Sequence, residues 1–244
     1  MQKVILAKQA AEDAYAAFKA GTGSQQQLDA AESRLYAVTG EPVPPKSQGL
    51  STFAAILGLT SFAQTTSYYC GPATAMDILW YLGPHRSYAF DTTTGAYDWI
   101  VGTPATDQHI LANAFWLATD QYGGTNWGNA YMPFTLNSWR ASAWYVGANS
   151  SGLTSVSAWQ KIDADMNVAH PVAENVLYGP STYSPPGFTS GITYLHWDVI
   201  HGDNTSFQVK IAQPWPQGTG YGNDYYEPWG IQFPAIAANH GIVY

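Results

Sequence analysis

The chain holds a single cysteine, Cys70, in the stretch QTTSYYCGPATAMDILWYLG, Gln64 to Gly83. A thiol attacks as its thiolate, and the free N–H groups and macrodipole at a helix N-terminus favour that negative charge. Gly71-Pro72 follows directly, and proline suits a first helical turn. Ala75, Leu79 and Leu82 then recur at helical spacing, which places Cys70 at the mouth of a buried helix. Gln64 lies six residues upstream, where its side-chain amide and the Cys70 N–H would form two donors for an oxyanion. A cysteine alone is most often a small buried hydrophobe. With these neighbours it reads as a nucleophile.

A thiol nucleophile needs a base. Among the six histidines, His196 stands in the strand-like YLHWDVIHGDN, where a strand would hold the imidazole rigidly. His201 is an odd number of positions away and faces the other side of the same strand. The remaining histidines lie in turn-like or terminal contexts, or show no partner pattern. There is no HExxH motif, and one cysteine cannot build a structural zinc site, so neither a metal nor a cofactor is expected.

These residues need a scaffold. The first forty residues read as a helical hairpin, with Ala11, Tyr15 and Phe18 on one stripe and a break at Gly21 to Gly23. Ser24 and Gln27 form a capping box, Leu28, Ala31, Leu35 and Val38 continue a stripe, and Gly40 supplies the stop. The proline-rich EPVPPKSQG then reads as an extended linker. Helical segments are expected over 73–82, 106–119 and 154–168, and the second half turns strand-like, with a hairpin turn at Gly202-Asp203-Asn204. Helices first and an antiparallel sheet later define an α+β layout, divided into a hairpin over 1–45 and a domain over 46–244.

Composition narrows the function. Only 11% of the 244 residues are charged, and nine basic against seventeen acidic residues give a net charge of −8. That balance argues against nucleic-acid binding, which relies on Lys and Arg to neutralise phosphates. No apolar run approaches the ~20 residues of a membrane span. A surface built from uncharged polar residues suits an exported bacterial protein, and secretion is expected, with a signal peptide that would already have been removed from this chain. A monomer acting on a peptide or protein substrate is expected.

The chain resembles the C39-like peptidases, a bacterial branch of the papain-like cysteine peptidases. Gln64–Ala73 (Q-x5-C-G-P-A) is similar to that family's nucleophile motif. IDADMNVAHPVAENV (162–176) and HWDVIHGDN (196–204) resemble its helix-then-strand segment and its histidine strand. The resemblance covers roughly residues 60–230. It implies a papain-like fold, with the Cys70 helix packed on an antiparallel sheet carrying His196. It also implies a third residue, Asp or Asn, before a proline on the next strand. The chain departs from the pattern there, since IAQPW places Gln213 before Pro214. Gln213 would orient the imidazole by accepting its N–H. Asp198, expected to point along the sheet rather than at the ring, ranks second, and Glu227 in YYEPWG is third. The resemblance allows two readings of residues 1–45, an inhibitory pro-segment or an integral layer. The expected function is peptide-bond hydrolysis by a Cys70/His196 pair with a Gln64 oxyanion hole. Alternatives are a cell-wall amidase, endopeptidase or transpeptidase, and a non-catalytic binding module.

Overall fold

A helical hairpin opens the chain, formed by α1 (Gln2–Lys19) and α2 (Gln25–Thr39). Both halves of the capping box are made: Gln27 N–H donates to Ser24 Oγ, and Ser24 N–H donates to Gln27 Oε1 at 2.8 Å. Such a cap stabilises a helix by about 1 kcal/mol. Gly40 closes α2 in the left-handed region, with φ of 74°. The buried face of α2 is Leu28, Leu35, Tyr36 and Thr39, whereas Val38, expected on the stripe, is exposed.

The computed structural model describes residues 2–41, 55–82, 89–91, 96–98, 104–215 and 222–244. All but the first residue of the expected linker lies outside these. After the hairpin come α3 (Cys70–Tyr81), β1 (Ala89–Asp91), β2 (Ala96–Asp98), α4 (Pro104–Ala112), α5 (Thr119–Tyr122), α6 (Tyr131–Arg140) and β3 (Gly147–Asn149). The second half runs α7 (Ser155–Asn167), β4 (Val172–Tyr178), β5 (Tyr194–Asp203), β6 (Gln208–Gln213), β7 (Asn223–Pro228), α8 (Trp229–Ala237) and β8 (Gly241–Val243). Strands β3-β8-β4-β5-β6-β7 form one antiparallel six-stranded sheet, and the architecture is α+β.

The inner strands of the sheet are buried on both faces because their side chains alternate between two cores. Ala173, Trp197, Val199 and Ala212 pack with Met76 and Leu79 of α3. Val172, Val176, Ile200 and Ile211 pack with Ala158 and Ile162 of α7 and Ile236 of α8. Side chains two apart share a face, so β5 serves both cores along its length.

Two boundaries differ from expectation for local reasons. The helix expected over 106–119 stops at Ala112, because the Asn113 side chain accepts the N–H groups of Phe115 and Trp116 and competes with the helical pattern. The β5–β6 turn falls after Asp203, where Asn204 Oδ1 accepts from Ser206 and Gln208 N–H. Gly202 belongs to β5, at a register shift, and a Cβ there would lie 3.0 Å from the Ala55 carbonyl. That glycine admits the incoming segment to the sheet rather than making the turn.

Ion pairs join the hairpin to the domain. Lys8, only 1% exposed, meets Asp165 of α7 at 2.9 Å and lies over the rings of Trp144 and Tyr244. Lys161 pairs with Glu12 at 2.8 Å, and Lys19 with Asp163 at 2.7 Å. Removing one partner of a buried pair strands the other charge in a dry site. Asp165→Ala is therefore expected to destabilise the protein by about 3–5 kcal/mol, measured by urea unfolding. The double change Lys8→Met/Asp165→Leu should recover most of that loss. A cost below about 1 kcal/mol for the single change would show that the hairpin is held by other contacts.

Candidate active site

Cys70 is the first residue of α3, preceded by Tyr69, whose side chain makes no capping bond to the helix. The positive end of the helix therefore faces the thiol without a competing side-chain acceptor from the cap position. Gly71 is dictated by close approach. A Cβ there would lie 2.0 Å from Thr125 Oγ1, so only glycine lets that loop close over the helix. Thr125 is held in turn by Thr119, with their Oγ1 atoms 2.7 Å apart, and by Trp197, whose Nε1–H donates to its carbonyl at 3.1 Å. Trp197 follows His196 on β5, so one indole ties the loop over the helix to the histidine strand.

His196 is the third residue of β5 and lines the same cleft as Cys70, close enough for the thiol to favour the charged ring. Its Nε2 is 3.0 Å from Asp198 Oδ1, a close ion pair whose N–H points off the line between the two atoms. With Asp198 on the Nε2 side, Nδ1 is the nitrogen left for the thiol. Burial works against charge on the ring. The Asp198 carboxylate and the contact with Cys70 overcome it and hold the His196 pKa up at about 10, from an ordinary 6.5. The Tyr178 hydroxyl donates to the other Asp198 oxygen, Oδ2, at 2.5 Å. Phe188 meets the imidazole edge-on, with centroids 5.1 Å apart. Its loop is pinned by Trp215 Nε1–H, which donates to the Gly187 carbonyl at 2.8 Å, and by Asn223, which donates to the Pro186 carbonyl at 3.2 Å.

The structure brings Cys70, His196 and Asp198 together and places the other expected residues elsewhere. Asp198 does not point along the sheet, because residues two apart on a strand share a face and its carboxylate reaches the ring. Gln213 follows the Val199–Ala212 pair, beside Asp198 rather than His196. Its amide donates to Tyr225 and accepts from Asn223, which also holds the Phe188 loop. Glu227 pairs with Val209, which in turn pairs with Asp203, at the far end of β5 from His196. Gln64 is buried outside the cleft lining, and its Nε2 donates to the Thr66 carbonyl at 2.8 Å. Its backbone N–H donates to the Pro214 carbonyl at 2.7 Å, tying the segment before Cys70 to the end of β6. Sequence reasoning missed Tyr178 and Thr125. The strand pattern of β4 placed Tyr178 on a face, but nothing in it revealed the cross-strand partner.

The cleft encloses about 450 Å³. Its lining includes Tyr68, Tyr122, Trp127, Asn175, Tyr194, Trp215 and Asn239, and among the described residues no Asp, Glu, Lys or Arg. No described hairpin residue lines it. Trp127 stacks between Trp197 and His240, with centroids 5.7 and 6.0 Å away. Among the described residues, no group of three or more His, Cys, Asp and Glu is arranged to hold a metal ion, and no helix is long and apolar enough to cross a membrane. No protein-family model matches the chain, and neither does any curated protein.

The raised His196 pKa fixes a sign. The charged ring stabilises the fold fully below about pH 6.5, and that contribution is lost as pH rises through about 10. In a nitrogen-detected NMR titration, His196 is expected to stay protonated at about pH 8. Asp198→Asn should lower its midpoint by about 1–3 units. An unchanged midpoint would mean that the carboxylate does not hold the ring charged.

Proposed function

We propose that this chain is a cysteine peptidase of the C39-like, papain-like kind, with Cys70 as nucleophile, His196 as base and Asp198 as the third member. The observation that carries the reading is that thiol and imidazole line one cleft, with the thiol at a helix N-terminus and a buried carboxylate 3.0 Å behind the imidazole. The papain-like assignment is part of the proposal, supported by a nucleophile helix packed on the antiparallel sheet that bears the histidine.

In this mechanism Cys70 Sγ attacks the scissile carbonyl, and its proton is held on His196. The Cys70 N–H at the start of α3 receives the developing oxyanion, while Gln64, buried outside the cleft with its amide on the Thr66 carbonyl, supports the segment before the thiol. His196 then protonates the leaving amine, and a thioester on Cys70 is left for water to hydrolyse. Asp198 holds the ring and offsets its charge throughout, in the place that the sequence pattern offers to Gln213. A non-catalytic binding module has no need of a carboxylate behind the histidine, and the Asp198 contact supports the catalytic reading over it. An exported, monomeric protein acting on uncharged or apolar peptide segments is proposed with this mechanism, in keeping with the uncharged cleft walls.

A second reading follows from the Trp127–His240 stack beside Asn126 and Asn239, surfaces on which sugar rings pack as readily as peptides. It makes the chain a cell-wall amidase, endopeptidase or transpeptidase acting through the same three residues. Digestion of casein beside clearing of purified peptidoglycan separates the two.

Both readings predict that a peptidyl fluoromethyl ketone labels the parent protein and not Cys70→Ala. Cys70→Ala and His196→Ala should each lose at least about 10³-fold in turnover, and Asp198→Ala on the order of 10²–10⁴-fold. Gln213→Ala should stay within about tenfold of the parent, because its partners hold a loop rather than the ring. Labelling that is indifferent to His196, or a larger loss in Gln213→Ala than in Asp198→Ala, would overturn the assignment.

A further inference from the structure

Glu174 is a carboxyl group that the mechanism above does not use. It lies on β4 directly opposite Asp198 on β5, and both are 0% exposed. Among the described residues, no lysine or arginine pairs with either. Two neighbouring carboxylates in a dry site cannot both be ionised. Their surroundings decide which one keeps its charge. Asp198 has the imidazole at 3.0 Å on one oxygen and the Tyr178 hydroxyl on the other. Glu174 has one neutral donor, Gln232 Nε2 of α8, on Oε1 at 2.7 Å, and its Oε2 is buried without a partner. The proton therefore belongs on Glu174. Burial, with the Asp198 charge added, also drives its pKa well above the usual carboxyl range.

The hydrogen bonds around Gln232 give this acid a task. Gln232 Nε2 reaches Glu174 Oε1 and the Tyr178 hydroxyl oxygen at 3.1 Å, and its Oε1 accepts from Tyr183. Each hydrogen and the carbonyl of the amide thus has a partner, which fixes its orientation. Gln232 donates to Tyr178, and Tyr178 donates to Asp198, so the chain of donors ends on the carboxylate facing His196. The groups around Glu174 are Asp198 and His196 from β5, Tyr178 from β4, Tyr183 from the β4–β5 loop, Tyr225 from β7, and Gln232 from α8. Its neighbour on β8 is the apolar Ile242.

The geometry points to Glu174 as a positioning residue, a buried neutral acid that sets Gln232 and Tyr178 behind Asp198 and leaves the carboxyl pair with one negative charge. A neutral acid is mimicked by an amide and an anion is not, which makes the idea testable. Glu174→Gln is expected to keep the His196 NMR midpoint within about 0.3 unit and the rate of Cys70 alkylation by iodoacetamide within about threefold. Glu174→Leu cannot hold Gln232. It should slow alkylation at least about tenfold while its near-UV circular dichroism stays that of the parent. Tyr178→Phe, which removes only the hydroxyl, should slow it likewise and serves if Glu174→Leu does not fold. A midpoint lowered by about a unit or more in Glu174→Gln would show that Glu174 is ionised, and would overturn the proposal. Parent-like rates in both Glu174→Leu and Tyr178→Phe would overturn the positioning role. The kinetic arm rests on the peptidase reading. The His196 titration tests the charge on Glu174 whether or not Cys70 turns over a peptide, so the two failures are distinguishable.

Discussion

An imidazole held charged in a dry interior is the constraint on which this site rests. The cost of taking an ion out of water is recovered only when an opposite charge stands close and the remaining lone pairs and hydrogens are satisfied. His196 meets the first condition through Asp198. The second requires polar groups behind the carboxylate, and β4 and α8 supply them as Tyr178 and Gln232. That requirement explains why so much hydrogen-bonding capacity lies buried between the sheet and α8, where an apolar layer would pack more cheaply.

The same physics recurs at the other end of the molecule. Charged residues are scarce in this sequence, yet Lys8, Glu12, Asp163 and Asp165 are all buried between the hairpin and α7. A buried pair contributes little net stability against an apolar replacement, but it penalises any arrangement that separates the partners. The hairpin is thereby held in one register on α7, and α7 packs on the sheet beside β4 and β5.

Much of this was legible in the sequence. The hairpin with its capping box, the helix at Cys70, and the order of helices before strands follow from spacing and cap chemistry, which act within a few residues. The relation of His196 to Asp198 was also legible in principle, since residues two apart on a strand share a face, but the direction of the carboxylate depends on its supports. Those supports come from Tyr178 and Gln232, far apart in the chain, and no local pattern announces a cross-strand or helix-to-sheet hydrogen bond. Gln213 was misplaced for a related reason. The turn that sets the β5–β6 register lies after Asp203, so Gln213 falls beside Asp198 and not His196. Gly71 and Gly202 look like ordinary glycines in the sequence, and only the backbone or side chain pressed against each explains it.

Asp198 and His196 belong to one strand, whereas Cys70 is carried by a separate helix. Two residues spaced by a single pleat are as rigidly related as a protein backbone allows. A shift of α3 against the sheet would alter the gap between sulfur and ring but leave the ring and its acid as they were. The charge on the imidazole is thus insulated from any breathing of the cleft, and under the proposed mechanism the sulfur-to-imidazole distance is the coordinate through which substrate binding would act.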